Sequence, residues 1–295
     1  MFLFNFLTDS TNGLAKTIGD IVSDNMGAYA PFPFCVQLLY VMTKKGVTSM
    51  TYQPYEIINA TAKSKWLVIC DHATNVVPDT VNGGTLGIAA ADMQRHIAYD
   101  IGAAGVARAL GNILQAPVVC SNFSRLVIDP NRGEDDPTLL MKLYDGTIIE
   151  ANRFADAAER ERRLKAFHRP YHNAIETTAA ALDHPVILSI HSFTPQLKSG
   201  PMRPWQIGVL SADDRRFTDP LLARLRRESD LCVGDNQPYR GDLPGDAIDR
   251  QALQSSRLNA LIELRNDLIA APEDQQKWAA RIAPILQDTL KGLSV

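Results

Sequence analysis

The stretch WLVICDHATNVVP, residues 66–78, decides the fold. Trp66 to Cys70 is a short apolar run without polar alternation, which predicts a strand buried on both faces. The run stops at Asp71-His72, and small or turn-forming residues follow. A second stretch, VILSIHSFTP at residues 186–195, repeats the plan with His191 after the apolar run. Strands buried on both faces belong to parallel sheets covered by helices, and such sheets bind ligands in the crevice at the carboxyl ends of their strands. Two imidazoles placed there can converge, and imidazole is a favoured zinc donor.

From residue 66 onward, short apolar runs alternate with longer helical patterns, which predicts one α/β domain with a mixed, largely parallel sheet flanked by helices. Strands are expected at Trp66 to Cys70, Pro117 to Ser121, Leu126 to Ile128, Val186 to Ile190, Gln206 to Ser211 and Leu261 to Leu264. Helices are expected from Ala89 to Leu114, Glu150 to Thr178, Asp219 to Glu228 and Asp274 to Leu290. On the first helix His96 and Asp100 would share a face, and on the second His168 and His172 would do so. Loops rich in Gly, Pro and Asp, at Asp129 to Thr138, Phe193 to Trp205 and Gly234 to Asp246, are suited to holding a substrate.

The 295 residues, 45% hydrophobic and 21% charged with a formal net charge of −3, are those of an ordinary globular protein large enough for an enzyme. No basic patch suits nucleic acid. Arg160, Arg162, Arg163 and Lys165 are interleaved with Glu159 and Glu161, which predicts a solvated helix face. No apolar run is long enough to span a membrane. The cysteines Cys35, Cys70, Cys120 and Cys232 are scattered without metal-ligand spacing, which suits a reducing compartment and a cytoplasmic protein. The GxSxG elbow and the glycine-rich nucleotide loops are missing from the sequence, so neither a serine hydrolase nor a nucleotide enzyme is expected. Residues 1–49 fit neither a secretory signal nor a transit peptide. They are expected to be a poorly packed extension upstream of a natural start near Met50, with residues 50–295 forming the domain.

The motifs DHATNVVP, RHIAYDIGA, SRLVIDPNR, FHRPYHNAIE, SIHSFTP and VGDNQPY, in that order, resemble the N-formylglutamate amidohydrolase family. That family is related to the zinc carboxypeptidases and to the aspartoacylase and succinylglutamate desuccinylase group. The resemblance implies a carboxypeptidase-like α/β fold, one zinc ion, a small N-acyl amino acid as substrate and a place in histidine degradation. It implies a monomer or homodimer with neither a nucleic acid nor a membrane partner.

Carried over residue by residue, the resemblance puts metal ligands at His72, Asn75 and His191. Asn75 departs from the relatives, which carry a carboxylate there, and a neutral amide is a poor zinc donor. The third ligand is therefore open among Asn75, Asp71 and the His96 and Asp100 pair, and Asp71, His96 and Asp100 otherwise orient the ligands. Asn131-Arg132 matches a pair that grips a substrate carboxylate, with Arg125 for a second carboxylate or the carbonyl oxygen. A local ion pair of Arg132 with Asp129, Asp135 or Asp136 is the alternative. Glu263, in IELRND, matches the general base, which takes a proton from an activated water and hands it to the leaving amine. It could instead pair with Arg265 or Arg125 in the core. His168 and Tyr171 are read as substrate-binding groups of a polar cleft wall, or else as parts of a polar network. The function these residues imply is hydrolysis of N-formyl-L-glutamate to formate and L-glutamate. The alternatives are hydrolysis of another N-acyl or peptidyl substrate, and a binding protein that no longer holds metal.

Overall fold

In β2 (Trp66–Cys70) the side chains alternate between two separate cores: Trp66, Val68 and Cys70 enter one, Leu67 and Ile69 the other. A strand with both faces buried must be apolar throughout, and this is why its sequence shows no alternation. The computed structural model describes residues 52–293. The expected extension at residues 1–49 lies outside the described residues.

The main sheet has the order β1-β3-β2-β6-β9-β7-β8. Its strands are β1 (Tyr55–Ile58), β2, β3 (Val118–Ser121), β6 (Val186–Phe193), β7 (Ile207–Leu210), β8 (Val233–Asp235) and β9 (Asn259–Arg265), and β4 (Leu143–Tyr144) with β5 (Thr147–Ile148) forms a separate ribbon. The central strands β3, β2, β6 and β9 are parallel. At the edges β1 is antiparallel to β3 and β7 to β9, while β8 runs parallel to β7. The sheet is mixed and mostly parallel, as expected.

The α-helices of the described residues are α1 (Ala103–Ile113), α2 (Glu150–Arg153), α3 (Ala157–Arg163), α4 (Arg169–Ala180), α5 (Thr218–Leu225), α6 (Ala247–Gln251) and α7 (Pro272–Gly292). One core joins the sheet to α1, α5 and α7 through residues such as Val106, Leu221 and Ile282; the other joins it to α4 and α6 through Tyr171, Ile175 and Ile248. No described helix is long and apolar enough to cross a membrane.

Three expectations are corrected. Leu126 to Ile128 forms turns, with Val127 N bonded to Ser124 O. The helix expected from Ala89 begins only at Ala103, because Gly102 adopts φ +82 immediately before it. His96 and Asp100 therefore do not share a helix face. The helix expected from Glu150 to Thr178 is broken after Arg153 and restarts at Asp156, whose side chain caps α3 by accepting from Glu159 N. A π turn over Leu164–His168 then joins α3 to α4. Pro170 has no N–H to give to the preceding turn, so a widened turn next to it loses little.

Gly102 is the backbone position on which this arrangement turns. A Cβ there would stand 2.2 Å from Ile269 O and would also be strained by the positive φ. Gly102→Ala is expected to lower stability by at least about 2 kcal/mol, read as a fall in thermal midpoint.

Candidate active site

His72 lies just past β2, His191 within β6 and Glu263 within β9, where it is the register partner of His191. All three therefore stand at the carboxyl end of the parallel strands. Asp100 is delivered from the irregular segment before α1, and its backbone N–H donates to His72 O at 3.0 Å. His72 Nδ1, Asp100 Oδ2 and His191 Nδ1 converge: Asp100 Oδ2 is 3.3 Å from the first nitrogen and 2.8 Å from the second. The three side chains are buried and offer ligand atoms within 4.8 Å of one another, a group that could hold a metal ion.

The other nitrogen of each ring is also held. His72 Nε2 meets Asp129 Oδ1 at 2.7 Å, and His191 Nε2 meets Asp71 Oδ2 at 2.9 Å. A carboxylate only accepts, so without a cation the proton of either nitrogen can serve these contacts; with a cation at Nδ1, each Nε2 keeps the ring proton for Asp129 or Asp71 and each Nδ1 presents its lone pair beside Asp100. Lone pairs and an anionic oxygen converging in a buried space repel unless a cation lies among them.

The charges agree with this. Burial opposes ionisation of Asp71, Asp100 and Asp129, yet their basic partners hold all three carboxyls below the usual carboxylate range: His191 for Asp71, His72 and His191 for Asp100, Arg125 and His72 for Asp129. Burial likewise opposes the Arg125 charge, which Asp129 restores. With neutral imidazoles, three carboxylates against one guanidinium leave two negative charges, which a divalent cation matches. In its absence protons serve: burial would lower the His191 pKa, but bonds to Asp100 and Asp71 hold it well above its ordinary value. The donor set therefore fits the zinc implied by the resemblance.

Glu263 is 6% exposed, and its Oε2 has no hydrogen-bond partner. Burial, reinforced by Asp100, pushes its pKa up to about 7. On β7 its register partner is Gly208, where a Cβ would stand 2.1 Å from Gln237 O, so the loop after β8 closes directly over the strand. Glu263 lines a cavity of about 300 Å³ together with His72, His191, Arg125, Asn131 and Arg132.

Arg125 donates through Nε and Nη2 to Asp129 Oδ2 at 3.1 and 2.7 Å, and its Nη1 is 3.5 Å from Asp100 Oδ1. Arg132 uses Nε on Thr138 Oγ1 and Nη1 on Asn131 O, and Asp136 approaches only to 4.0 Å. Its Nη2 makes no hydrogen bond among the described residues. Asn131 spends its Oδ1 on Ala247 N at 3.2 Å, which leaves its Nδ2 for the cavity.

Other expected site residues lie elsewhere. Asn75 Nδ2 donates to Met93 O at 2.8 Å; the side chain is outside the converging group and does not line the cavity, and Asp100 supplies the carboxylate instead. His96 lines the cavity but stands 3.5 Å from Asp145 Oδ2, away from the group at Asp100. Tyr171 is buried and donates to Asp71 Oδ1 at 2.8 Å, so it supports the partner of His191 rather than the cavity wall. His168 Nε2 donates to Arg132 O at 3.0 Å, and His172 Nε2 to Pro130 O at 2.9 Å. Burial lowers the pKa of both, that of His172 to about 3, so two neutral imidazoles shape the 130–132 loop from behind.

Sequence reasoning missed Asp129 as a partner of His72, and missed Tyr144, Tyr239 and Asp246 in the cavity wall. Tyr144 had a local signal. Asp145-Gly146 sits between alternating residues, and its φ values of +42 and +81 fit a tight hairpin turn. Leu143 and Ile148 pair on the exposed face of that ribbon, and Tyr144 pairs with the buried Thr147 on the other.

The family model described as N-formylglutamate amidohydrolase matches residues 64–270. The chain belongs to the N-formylglutamate amidohydrolase family. It is 30% identical over 206 residues to an N-formylglutamate deformylase of Pseudomonas putida, spanning 62% of this chain and 73% of that one. A crystal structure of an Agrobacterium tumefaciens gene product is 34% identical, with a TM-score of 0.77 over 83% of this chain and 98% of the other. A crystal structure of N-formylglutamate amidohydrolase from Ralstonia eutropha shares the fold at 18% identity, with a TM-score of 0.57 over 81% of this chain and 99% of the other. As a member of this family the protein is an amidohydrolase.

Proposed function

We propose that this amidohydrolase uses zinc to hydrolyse N-formyl-L-glutamate to formate and L-glutamate. The observation that carries the reading is the convergence of His72 Nδ1, Asp100 Oδ2 and His191 Nδ1 beside the unpartnered Glu263 Oε2. His72, Asp100 and His191 would hold the zinc, which when bound supplies the Lewis acidity that activates water and polarises the amide carbonyl. Glu263 takes a proton from the attacking water as its oxygen adds to the formyl carbon. It then gives that proton to the amide nitrogen as the carbon–nitrogen bond breaks. Arg125 Nη1 stabilises charge that develops on the carbonyl oxygen in this water-poor cavity. Asn131 Nδ2 and Arg132 Nη2 bind a substrate carboxylate.

Asp71 and Asp129 fix the proton on each Nε2 and so hold each Nδ1 ready to coordinate. Asp100 would provide the carboxylate that Asn75 lacks, which favours a metal-holding enzyme over a binding protein without metal. Cytoplasmic placement belongs to the same reading, supported by the free thiols of Cys70, Cys120 and Cys232, and a role in histidine degradation follows from the resemblance alone.

The test is metal content by elemental mass spectrometry, with formate release from N-formyl-L-glutamate measured before and after chelation and across a panel of N-acyl amino acids. One zinc per chain, chelator-sensitive turnover and a preference for the formyl-glutamate substrate are expected. Metal-free protein with full activity would overturn the metal assignment, and a better N-acyl substrate would replace the proposed one. Asp71→Asn is expected to weaken zinc binding roughly 10- to 100-fold, measured by competition with a chromophoric chelator.

A further inference from the structure

We propose that Tyr144, on the β4–β5 ribbon, is a positioning residue that holds the Arg125 guanidinium in its working orientation. This rests on the reading that Arg125 stabilises the carbonyl oxygen. The guanidinium carbon of Arg125 lies 5.5 Å from the centroid of the Tyr144 ring, on its face. This is within the range of a cation–π contact, which gains strength where water is excluded. Along its edge Arg125 is fixed at Nε and Nη2 by a single oxygen of Asp129. Two bonds to one acceptor still permit tilting of the plane, and Nη1 at 3.5 Å from Asp100 Oδ1 is held only loosely. The aromatic face supplies the missing restraint and covers the cation against water, which preserves its electrostatic effect on the substrate.

The ribbon itself is anchored. Arg95 binds Asp145 through Nη2, Asp145 Oδ1 accepts from Lys198 N at 3.2 Å, and Arg95 Nη1 donates to Thr147 Oγ1 at 2.9 Å. Asp145 of the turn and the buried strand residue Thr147 are thus tied to neighbouring segments, so the Tyr144 ring is presented from a fixed mount. Rigid mounting of a group that orients a catalytic residue is what precise electrostatic stabilisation needs.

The experiment compares Tyr144→Phe, Tyr144→Leu and Tyr144→Met in steady-state hydrolysis of N-formyl-L-glutamate. Exchange of the Arg125 Nε–H is followed in parallel by NMR of protein labelled with ¹⁵N-arginine. Tyr144→Phe, which keeps the ring, is expected to stay within about twofold of the wild type in kcat and to keep slow exchange. Tyr144→Leu is expected to lose about tenfold in kcat with KM nearly unchanged and to show faster exchange, and Tyr144→Met gives the same reading if the leucine variant fails to fold. A phenylalanine variant as slow as the leucine variant would assign the effect to the hydroxyl and overturn the proposal. So would a rise in KM in place of the fall in kcat, or unchanged exchange in the variants without a ring. If the wild type cleaves no N-formyl amino acid, the functional reading fails by itself, and the exchange measurement still decides whether Tyr144 restrains Arg125.

Discussion

Replacing His191 with alanine is expected to lower kcat on the order of a thousandfold or more and to leave the purified protein without stoichiometric zinc, because the loss of several kcal/mol of Lewis-acid stabilisation multiplies into rate. His191 joins Asp100 to Asp71, and Asp71 also accepts from Tyr171 and Ser189. Removing the imidazole leaves Asp100 and Asp71 buried without the partner that keeps them ionised. Stability of the metal-free protein should therefore fall as well, by about 3 kcal/mol or more, since breaking a buried pair strands a charge. Elemental analysis, formate release and thermal denaturation separate the two effects. A His191→Ala variant that keeps both zinc and turnover would remove His191 from the metal site.

Glu263→Gln is expected to act on catalysis and stability in opposite directions. The amide keeps the shape of the side chain but cannot accept a proton, so kcat should fall about a hundredfold to ten-thousandfold. In the wild type the base must be ionised; burial and Asp100 push its pKa up in the metal-free site and a bound cation draws it down, so kcat/KM should be lost as pH falls, with its midpoint below about 7.

Stability follows the opposite course. Between the ordinary glutamate value of 4.5 and about 7, the folded protein keeps a proton that the unfolded chain has given up. Folding stability from this group therefore falls as pH rises across that window and stays low above it. Glutamine carries no such penalty. In chelator-treated protein Glu263→Gln should be more stable than the wild type above pH 7, by up to about 3 kcal/mol, and close to it near pH 4. Denaturant midpoints at the two pH values check this, and an unchanged kcat in the variant would end the assignment of Glu263 as base.

Much of the site was legible because its signals are local. An apolar run that ends in a histidine announces strand, ligand and loop in one reading, and both His72 and His191 stand where those runs placed them. Glu263 was legible for a related reason: an acid inside a short apolar strand needs a purpose, and the structure leaves its Oε2 without a partner. His168 and Tyr171 were harder. Polar residues four or three apart on a helix show that they share a face, but not whether that face meets the cavity or the backs of its walls. Both turned out to grip what lies behind the site, Arg132 O and Asp71.

The sequence by itself determined the mostly parallel sheet, the family and the crevice at the strand ends, because run length, burial pattern and motif order are properties of neighbouring residues. Only the tertiary structure decided the third converging donor. Asp100 reaches the two imidazoles because Gly102 turns the chain at φ +82 and because Asp100 N is tied to His72 O. Asn75, three residues from His72, is spent on Met93 O. The orientation of both rings likewise depends on Asp129 and Asp71, which reach them from different segments at 2.7 and 2.9 Å. Convergence of donors is a distance in space, and backbone turns far apart in the chain set that distance.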